Sequence, residues 1–257
     1  MGEIMKRIVL IMLSIFTCAI ATAATETINW YVDGNTYATT TCQTGGDIVL
    51  PQTPTKYGYT FNGWIGYTPI EYIESTGTQY IDTGVAPNQD TGIKTKIKIS
   101  STDNSVFFGK NRDGGGAFES FIWDNGSALY FTYAQSNQII RGLGLKIDDT
   151  LEYDWNKNII NYSKNDVEQA LVSFSAQPFS NTRTFLLFAE HNNNDAVTHM
   201  ASIKMYYFQI YDNNVLVCDM IPVLDDNGVA CMFDKVEKKF YYNQGTGQFI
   251  AGPIINQ

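Results

Sequence analysis

Between residues 91 and 100 apolar and polar positions alternate, with Ile93, Thr95, Ile97 and Ile99 set against Lys94, Lys96 and Lys98. Successive side chains point to opposite faces of a strand, so this run predicts a half-buried strand with a lysine-bearing outer face. Ala117–Trp123 and residues 127–133 flank Asp124-Asn125-Gly126, a hairpin signal because these residue types accept left-handed backbone. Residues 150–155 and 158–162 flank a second polar turn. Residues 199–211 form a long alternating run that sets Tyr206, Phe208 and Ile210 on one face. Val215–Leu224 and residues 228–233 flank Asp225-Asp226-Asn227. A two-residue turn there puts Asp225 opposite Gly228, Cys231 opposite Pro222 and Cys218 opposite Lys235. That register separates the two thiols too far for a disulfide. Roughly a dozen short strands, with no amphipathic helix among them, predict a β-sandwich or barrel.

The N-terminus follows a different pattern. Lys6 and Arg7 precede an apolar run over residues 8–20, and Ala21-Thr22-Ala23 follows. The run is too short to favour a spanning helix, and its order of charge, apolar stretch and small residues is that of a signal peptide over 1–23. No second apolar run of spanning length follows. The mature chain is therefore expected outside the cytoplasm, secreted, at the cell surface or periplasmic, with no transmembrane helix. Cys18 falls in the leader, which leaves Cys42, Cys218 and Cys231. An odd count in an exported chain leaves at least one thiol unpaired, and all three are expected free.

Residues 51–64, PQTPTKYGYTFNGW, concentrate aromatic area. Pro51 and Pro54 hold the chain extended. Tyr57, Tyr59 and Phe61 alternate onto one face and are read as the core of a small β-module, with Trp64 packed near Trp30. The segment Pro51-x-x-Pro54-Thr55-Lys56-x-Gly58-Tyr59-Thr60-Phe61-x-Gly63-Trp64 resembles the end of a Listeria–Bacteroides repeat, also called the internalin B repeat. Ile28-Asn29-Trp30-Tyr31-Val32-Asp33-Gly34 resembles its first strand and turn. The resemblance implies a small β-grasp-like unit of bacterial surface proteins over 24–68, present here once. Tyr72-Ile73-Glu74-Ser75-Thr76-Gly77-Thr78-Gln79-Tyr80-Ile81-Asp82-Thr83-Gly84 resembles the opening of concanavalin A-like, laminin-G-like jelly-roll domains. The closing residues Met232-Phe233-Asp234 and Phe240-Tyr241-x-Asn243 fit the same family. That implies an antiparallel jelly-roll sandwich over 69–257, so the expected fold class is all-β in two units. The short, partly apolar junction at 65–70 implies that the units touch.

Composition removes some functions. The 257 residues carry a formal charge of −9, which with no basic stripe excludes a nucleic-acid binder. Candidate chemistry is sparse. Some jelly-roll relatives are glycosidases with E-x-D-x-x-E on one strand. Here Glu152-Tyr153-Asp154 begins that pattern, but Lys157 stands where the last acid belongs. His191 and His199 lie in or beside a polar loop with no nucleophile motif. Gly114-Gly115-Gly116 lacks the Lys-Ser/Thr of a phosphate loop. These readings argue against an enzyme, with a degenerate glycosidase as an alternative. No cofactor is expected. Calcium is the one candidate metal, from Asp103, Asp113, Asp124, Asp195, Asp225 and Asp226 in loops, although no EF-hand spacing exists.

Sugar recognition needs exposed aromatics beside amides and carboxylates. Trp123, Asp124, Asn125, Tyr130 and Tyr133 gather around one hairpin and are the candidate ligand residues; Trp155 with Asn156 and Asn158 is a second set. The expected role is non-catalytic recognition of a glycan or surface protein in adhesion. A structural or assembly module without a small ligand is the alternative.

Overall fold

The computed structural model describes residues 6–12, 24–32, 35–44, 46–57, 59–110, 116–192 and 196–255, with the backbone alone for 6–12 and 59–64. The described chain is all-β. Among the described residues no helix is long and apolar enough to cross a membrane.

The body is two stacked antiparallel sheets. One has six strands in the order Ser136–Arg141, Ala128–Ala134, Ala117–Trp123, Ser105–Lys110, Leu186–Leu187, Ile81–Asp82. The other has twelve, and Thr150–Asn156, Thr91–Ile99, Ile203–Asp212 and Val215–Leu224 lie side by side at its centre. Aromatic rings join the sheets. Phe118 stacks on Trp155 with centroids 4.0 Å apart, Phe131 meets Tyr153 edge-on at 5.7 Å, and Phe108 meets Phe208 at 5.2 Å. All six are fully or almost fully buried. Each such side chain removed from water stabilises the fold by ~1.5–3 kcal/mol before entropy is charged against it. Buried polar groups in this layer have partners: Ser120 Oγ donates to Tyr153 Oη at 3.3 Å, and Trp155 Nε1 donates to the Lys157 carbonyl at 2.7 Å.

The lysine strand is as its alternation predicts. Ile93, Ile97 and Ile99 are buried and Lys94, Lys96 and Lys98 are not. Two details differ from the sequence reading. The register of Ile203–Asp212 against Thr91–Ile99 shifts between Met205 and Tyr207. This bulge puts Phe208 and Ile210 in the core with Met205, while Tyr206 stays half-exposed with its ring 5.6 Å from Tyr72. The turn after Val215–Leu224 is one residue longer than a two-residue hairpin. The Asp225 amide donates to the Val229 carbonyl at 3.0 Å, and the Asp225 carboxylate accepts the Asn227 and Val229 amides at 2.9 and 2.8 Å. Cys231 therefore pairs with Val223 rather than Pro222. Cys218 lies in the main core and Cys231 in a separate cluster with Tyr67, Val223 and Phe233, and both thiols are free, as is Cys42. Burial pushes both buried thiols up, Cys231 to about 12, which keeps them protonated and inert.

A smaller four-stranded sheet precedes the body, in the order Asn35–Gln43, Thr25–Val32, Lys6–Met12, Tyr59–Gly66. Its described core is Ile28 and Trp30, and Trp30 Nε1 donates to Thr40 Oγ1 at 2.8 Å. Lys6–Met12 belongs to the expected leader, yet its backbone pairs between Thr25–Val32 and Tyr59–Gly66. Tyr57 is fully exposed, against its reading as core. It precedes the strand rather than lying in it. The Trp64 side chain lies outside the described residues. At the junction Thr68–Pro69 pairs with Val215–Leu224, and Ile65 packs on the Tyr67 cluster. Tyr67 and Phe233 meet there at 4.8 Å.

Candidate functional site

The segment Ala117–Trp123, AFESFIW, divides its side chains between two environments. Phe118, Ser120 and Ile122 are fully buried toward the other sheet. Alternation sends Glu119, Phe121 and Trp123 to the outer face. Neighbouring strands continue this face in rows set by register. Gly109, Glu119, Thr132 and Asn137 stand side by side, then Val106, Phe121, Tyr130 and Ile139, then Trp123, Ala128 and Arg141. The first row is polar and the second largely aromatic.

Gly109 is needed for that arrangement. Its φ is +151°, and a Cβ on it would stand 2.3 Å from Glu119 Cβ. The missing side chain is the space that Glu119 occupies. The aromatic row is ordered by ring packing. Phe121 and Tyr130 stack at 4.7 Å with planes 15° apart, and Trp123 stands at 88° to Phe121 with centroids 6.1 Å apart.

A second wall comes from a distant part of the chain. Glu190–His191 pairs with Val197–Thr198, and His199 follows. The Val106 amide donates to the His199 carbonyl at 2.8 Å, which docks this hairpin beside the aromatic row. Glu190 is 3% exposed, and its Oε1 lies 2.6 Å from His199 Nδ1. The half-exposed His199 ring meets Trp123 at 5.5 Å. The result is a cleft of about 310 Å³ lined by Val106, Glu119, Phe121, Trp123, Tyr130, Asn137, Glu190 and His199. Aromatic faces there can take the C–H face of a ring, while carboxylate, amide and imidazole groups serve its hydroxyls. Thr132 Oγ1, in the polar row between Glu119 and Asn137, is buried and makes no hydrogen bond. Buried hydroxyls are normally bonded.

The hairpin residues singled out from sequence divide into three groups. Trp123 and Tyr130 line the cleft. Asp124 and Asn125 form the turn at its end, with φ of 54° and 51°, outside the lining. Asp124 Oδ2 there lies 3.4 Å from Arg141 Nη1, and the Asn125 amide donates to Asn104 Oδ1 at 3.3 Å. Tyr133 is corrected: it points inward at 1% exposure, and its hydroxyl donates to the Gln89 and Gln177 carbonyls at 3.2 and 3.4 Å. Trp155 is corrected likewise, since it is stacked in the core. Sequence reasoning missed Glu119 and Phe121, although the rule that placed Trp123 on the outer face places them there too. It also missed Asn137 and Glu190, and it placed His199 only in or beside a polar loop.

Glu152 and Asp154 lie on the outer face of the other sheet. Asp154 is 3.0 Å from Lys94, and Glu152 is 3.9 Å from Lys96 and accepts the Tyr207 hydroxyl at 2.9 Å. Lys157 turns away from them in a left-handed conformation and binds Asp90 Oδ1 at 2.8 Å. Among the described residues no group of three or more His, Cys, Asp or Glu side chains could hold a metal. Asp103, Asp124 and Asp225 are engaged by Ser101, Arg141 and the turn amides. Asp113 and Asp195 lie outside the described residues.

The Listeria-Bacteroides repeat domain family matches residues 27–92, which includes the small sheet from its second strand onward and the start of the body. No curated protein matches the chain. A solved structure of a proposed carbohydrate binding protein from Bacteroides ovatus is similar at 11% identity and a TM-score of 0.50, over 92% of this chain and 70% of that one. The heptameric SAP-like pentraxin of Limulus polyphemus is similar at 10% identity and a TM-score of 0.42, over 73% of this chain and 94% of that one. The Bacteroides ovatus likeness agrees with an all-β sandwich fold.

Proposed function

We propose that the chain is an exported, non-catalytic binding protein that takes a glycan in the cleft on the outer face of the six-stranded sheet. The observation that carries this reading is the stacked Phe121–Tyr130 pair with Trp123 at a right angle, beside Glu119 and Asn137. The flat rings would pack on the apolar face of a sugar, and the polar row would bond its hydroxyls. The Bacteroides ovatus protein that shares the fold is itself proposed to bind carbohydrate, which supports the reading. The proposed division is a leader over 1–23, an internalin B-type repeat over 24–68 and a jelly-roll binding unit over 69–257. Adhesion at a cell surface is the proposed setting. N-terminal sequencing of secreted protein should then find Ala24 first.

A glycan array probed with the full chain and with Trp123→Ala tests the proposal. Retention of a glycan by the wild type, lost in Trp123→Ala and kept in Glu152→Gln, is the expected result. If no glycan is retained, the reading fails in favour of a structural or assembly module. One observation favours a second reading, a glycosidase: two carboxylates, Glu119 and Glu190, line the same cleft. Retaining and inverting glycosidases both work with such a pair. Release of reducing sugar, lost in both Glu119→Gln and Glu190→Gln, would replace binding by hydrolysis.

A further inference from the structure

We propose that the chain self-associates through the edge of its small sheet, where a second copy pairs its own Asn35–Gln43 strand with this one. The proposal does not depend on the glycan reading. Asn35–Gln43 is nine residues long, pairs with Thr25–Val32 on one side and, among the described residues, is the last strand of its sheet on the other. It contains no Asp, Glu, Lys, Arg, Pro or Gly. Charges, prolines and short length are the usual means by which a sheet edge is closed to other chains, and this strand has none of them. The body's sheets end differently. Ile81–Asp82, Val167–Glu168 and Lys239–Tyr241 are edges of two or three residues, each with a charged side chain. Ser136–Arg141 is longer, but Arg141 lies 3.4 Å from Asp124, and Gln138 Nε2 donates to the Ser173 carbonyl at 3.4 Å, which ties that strand to Val172–Ser173. At the far side of the small sheet, Tyr59–Gly66 contains Gly63 and Gly66, which weaken a strand.

The occupant is a second copy because the edge is compatible with itself. A two-fold axis through Thr40, perpendicular to the sheet, sets the two strands antiparallel, with Thr39 opposite Thr41 of the second copy and Ala38 opposite its Cys42. Ala38, Thr40 and Cys42 are half-buried, and Ala38 and Cys42 pack on Ile28 and Trp30, whereas Thr39 and Thr41 are exposed. This pairing therefore joins covered face to covered face and exposed face to exposed face. Cross-strand threonine pairs are favourable, and no charge meets its like. The chain's charge of −9 opposes the approach of two copies in general, which favours contact along an uncharged strip. The small sheet also gains most from company. Its described core is Ile28 and Trp30 alone, and a sheet continued across two copies is better supported than one so thinly covered. Such a dimer carries two clefts, so under the glycan reading it would hold a multivalent surface by avidity.

Sedimentation equilibrium of the full chain tests this, with amide hydrogen exchange at low and high protein concentration to locate the contact. The wild type should pass from monomer to dimer over about a hundredfold rise in concentration. The amides of residues 38–43 should exchange more slowly in the dimer, while those of Ser136–Arg141 stay unchanged. Salt should tighten the dimer, because it screens the repulsion between two acidic chains. Thr39→Lys combined with Thr41→Lys sets lysine opposite lysine across the pair. It should weaken the dimer at least about tenfold even though it lowers the chain's net negative charge, whereas Thr39→Val with Thr41→Val should keep it. A wild type that stays monomeric across the whole range overturns the proposal. So does a dimer that is protected at Ser136–Arg141 instead, that loosens in salt, or that survives the two lysines. The wild-type mass and exchange pattern decide even if the lysine variant fails to fold.

Discussion

The outer face of the twelve-stranded sheet sets Lys94 against Asp154 and Lys96 against Glu152 across one strand pair; the outer face of the six-stranded sheet sets Glu119 between Gly109 and Thr132. Each face has a depression, and that on the larger sheet, at about 360 Å³, is no smaller than the cleft at about 310 Å³. Size does not separate them. The larger-sheet depression is lined by Lys94 as well as Glu152, Asp154 and Glu168, and two of its carboxylates are paired within the protein, Asp154 with Lys94 and Glu152 with Lys96. The cleft brings carboxylates together with three aromatic rings and a histidine, and no lysine or arginine is among its described lining residues. Opposite charges in register satisfy one another across that strand pair. On the cleft face Glu119 stands in register with glycine on one side and threonine on the other.

Three substitutions test that contrast, in order of expected effect. Trp155→Ala removes a ring that bridges the two sheets, and should destabilise the fold by about 3–5 kcal/mol in denaturant unfolding, as truncation of a buried Trp does. A small effect would mean that Trp155 is not a core residue. Gly109→Ala forces a methyl against the Glu119 backbone and Cβ, where overpacking costs about 1–3 kcal/mol. It should also abolish sugar binding, because Glu119 must move; full binding with unchanged melting would show that the cleft does not depend on this glycine. Trp123→Ala should barely change melting yet weaken binding by about 30-fold, the scale of an aromatic hot spot. If it melts early and binds normally, Trp123 is a packing residue and the proposed site is wrong.

How much of this was legible in the sequence depends on how far apart the contributing residues lie. Period-two alternation located the strands, and Ile93, Ile97 and Ile99 are buried as the pattern requires. It failed where a bulge intervenes, because one extra residue beside Tyr206 reverses the faces and leaves no mark in the pattern. The Asp225 turn was read one residue too short for a related reason: the Asp225 side chain captures two amides and closes a longer loop. Within the site, Trp123 and Tyr130 were legible because a local hairpin joins them, and Glu119 and Phe121 were legible by the same alternation. Glu190 and His199 were not, since only the packing of a remote hairpin against Val106 brings them to the cleft. Tyr133 and Trp155 were misassigned because an aromatic beside polar residues looks exposed until the sheet shows which face is covered.

The smallest expected effect sharpens the contrast from the other side, at an ion pair of the lysine face. Lys98 Nζ lies 2.9 Å from Asp148 Oδ1. The hydrogen bond from Lys98, and then its charge, hold the Asp148 carboxyl below its ordinary range, and the same bond raises Lys98. The signs define a window. Asp148 contributes above the pKa of an unfolded Asp, and the contribution fades as pH falls through its depressed folded value. Lys98 contributes below the pKa of an unfolded Lys, and that is lost as pH rises through its raised folded value. Asp148→Asn should therefore lower Tm slightly near neutral pH, and the difference should vanish in acid, in strong base and in concentrated salt, because the pair is solvent-exposed. Asp148 also holds a left-handed φ of 73°, which Asn tolerates as well as Asp, so the substitution isolates the charge. A Tm difference that persists in acid or in high salt would mean that Asp148 acts through its side-chain shape rather than its charge, and the closed, ion-paired account of this face would fail at that position.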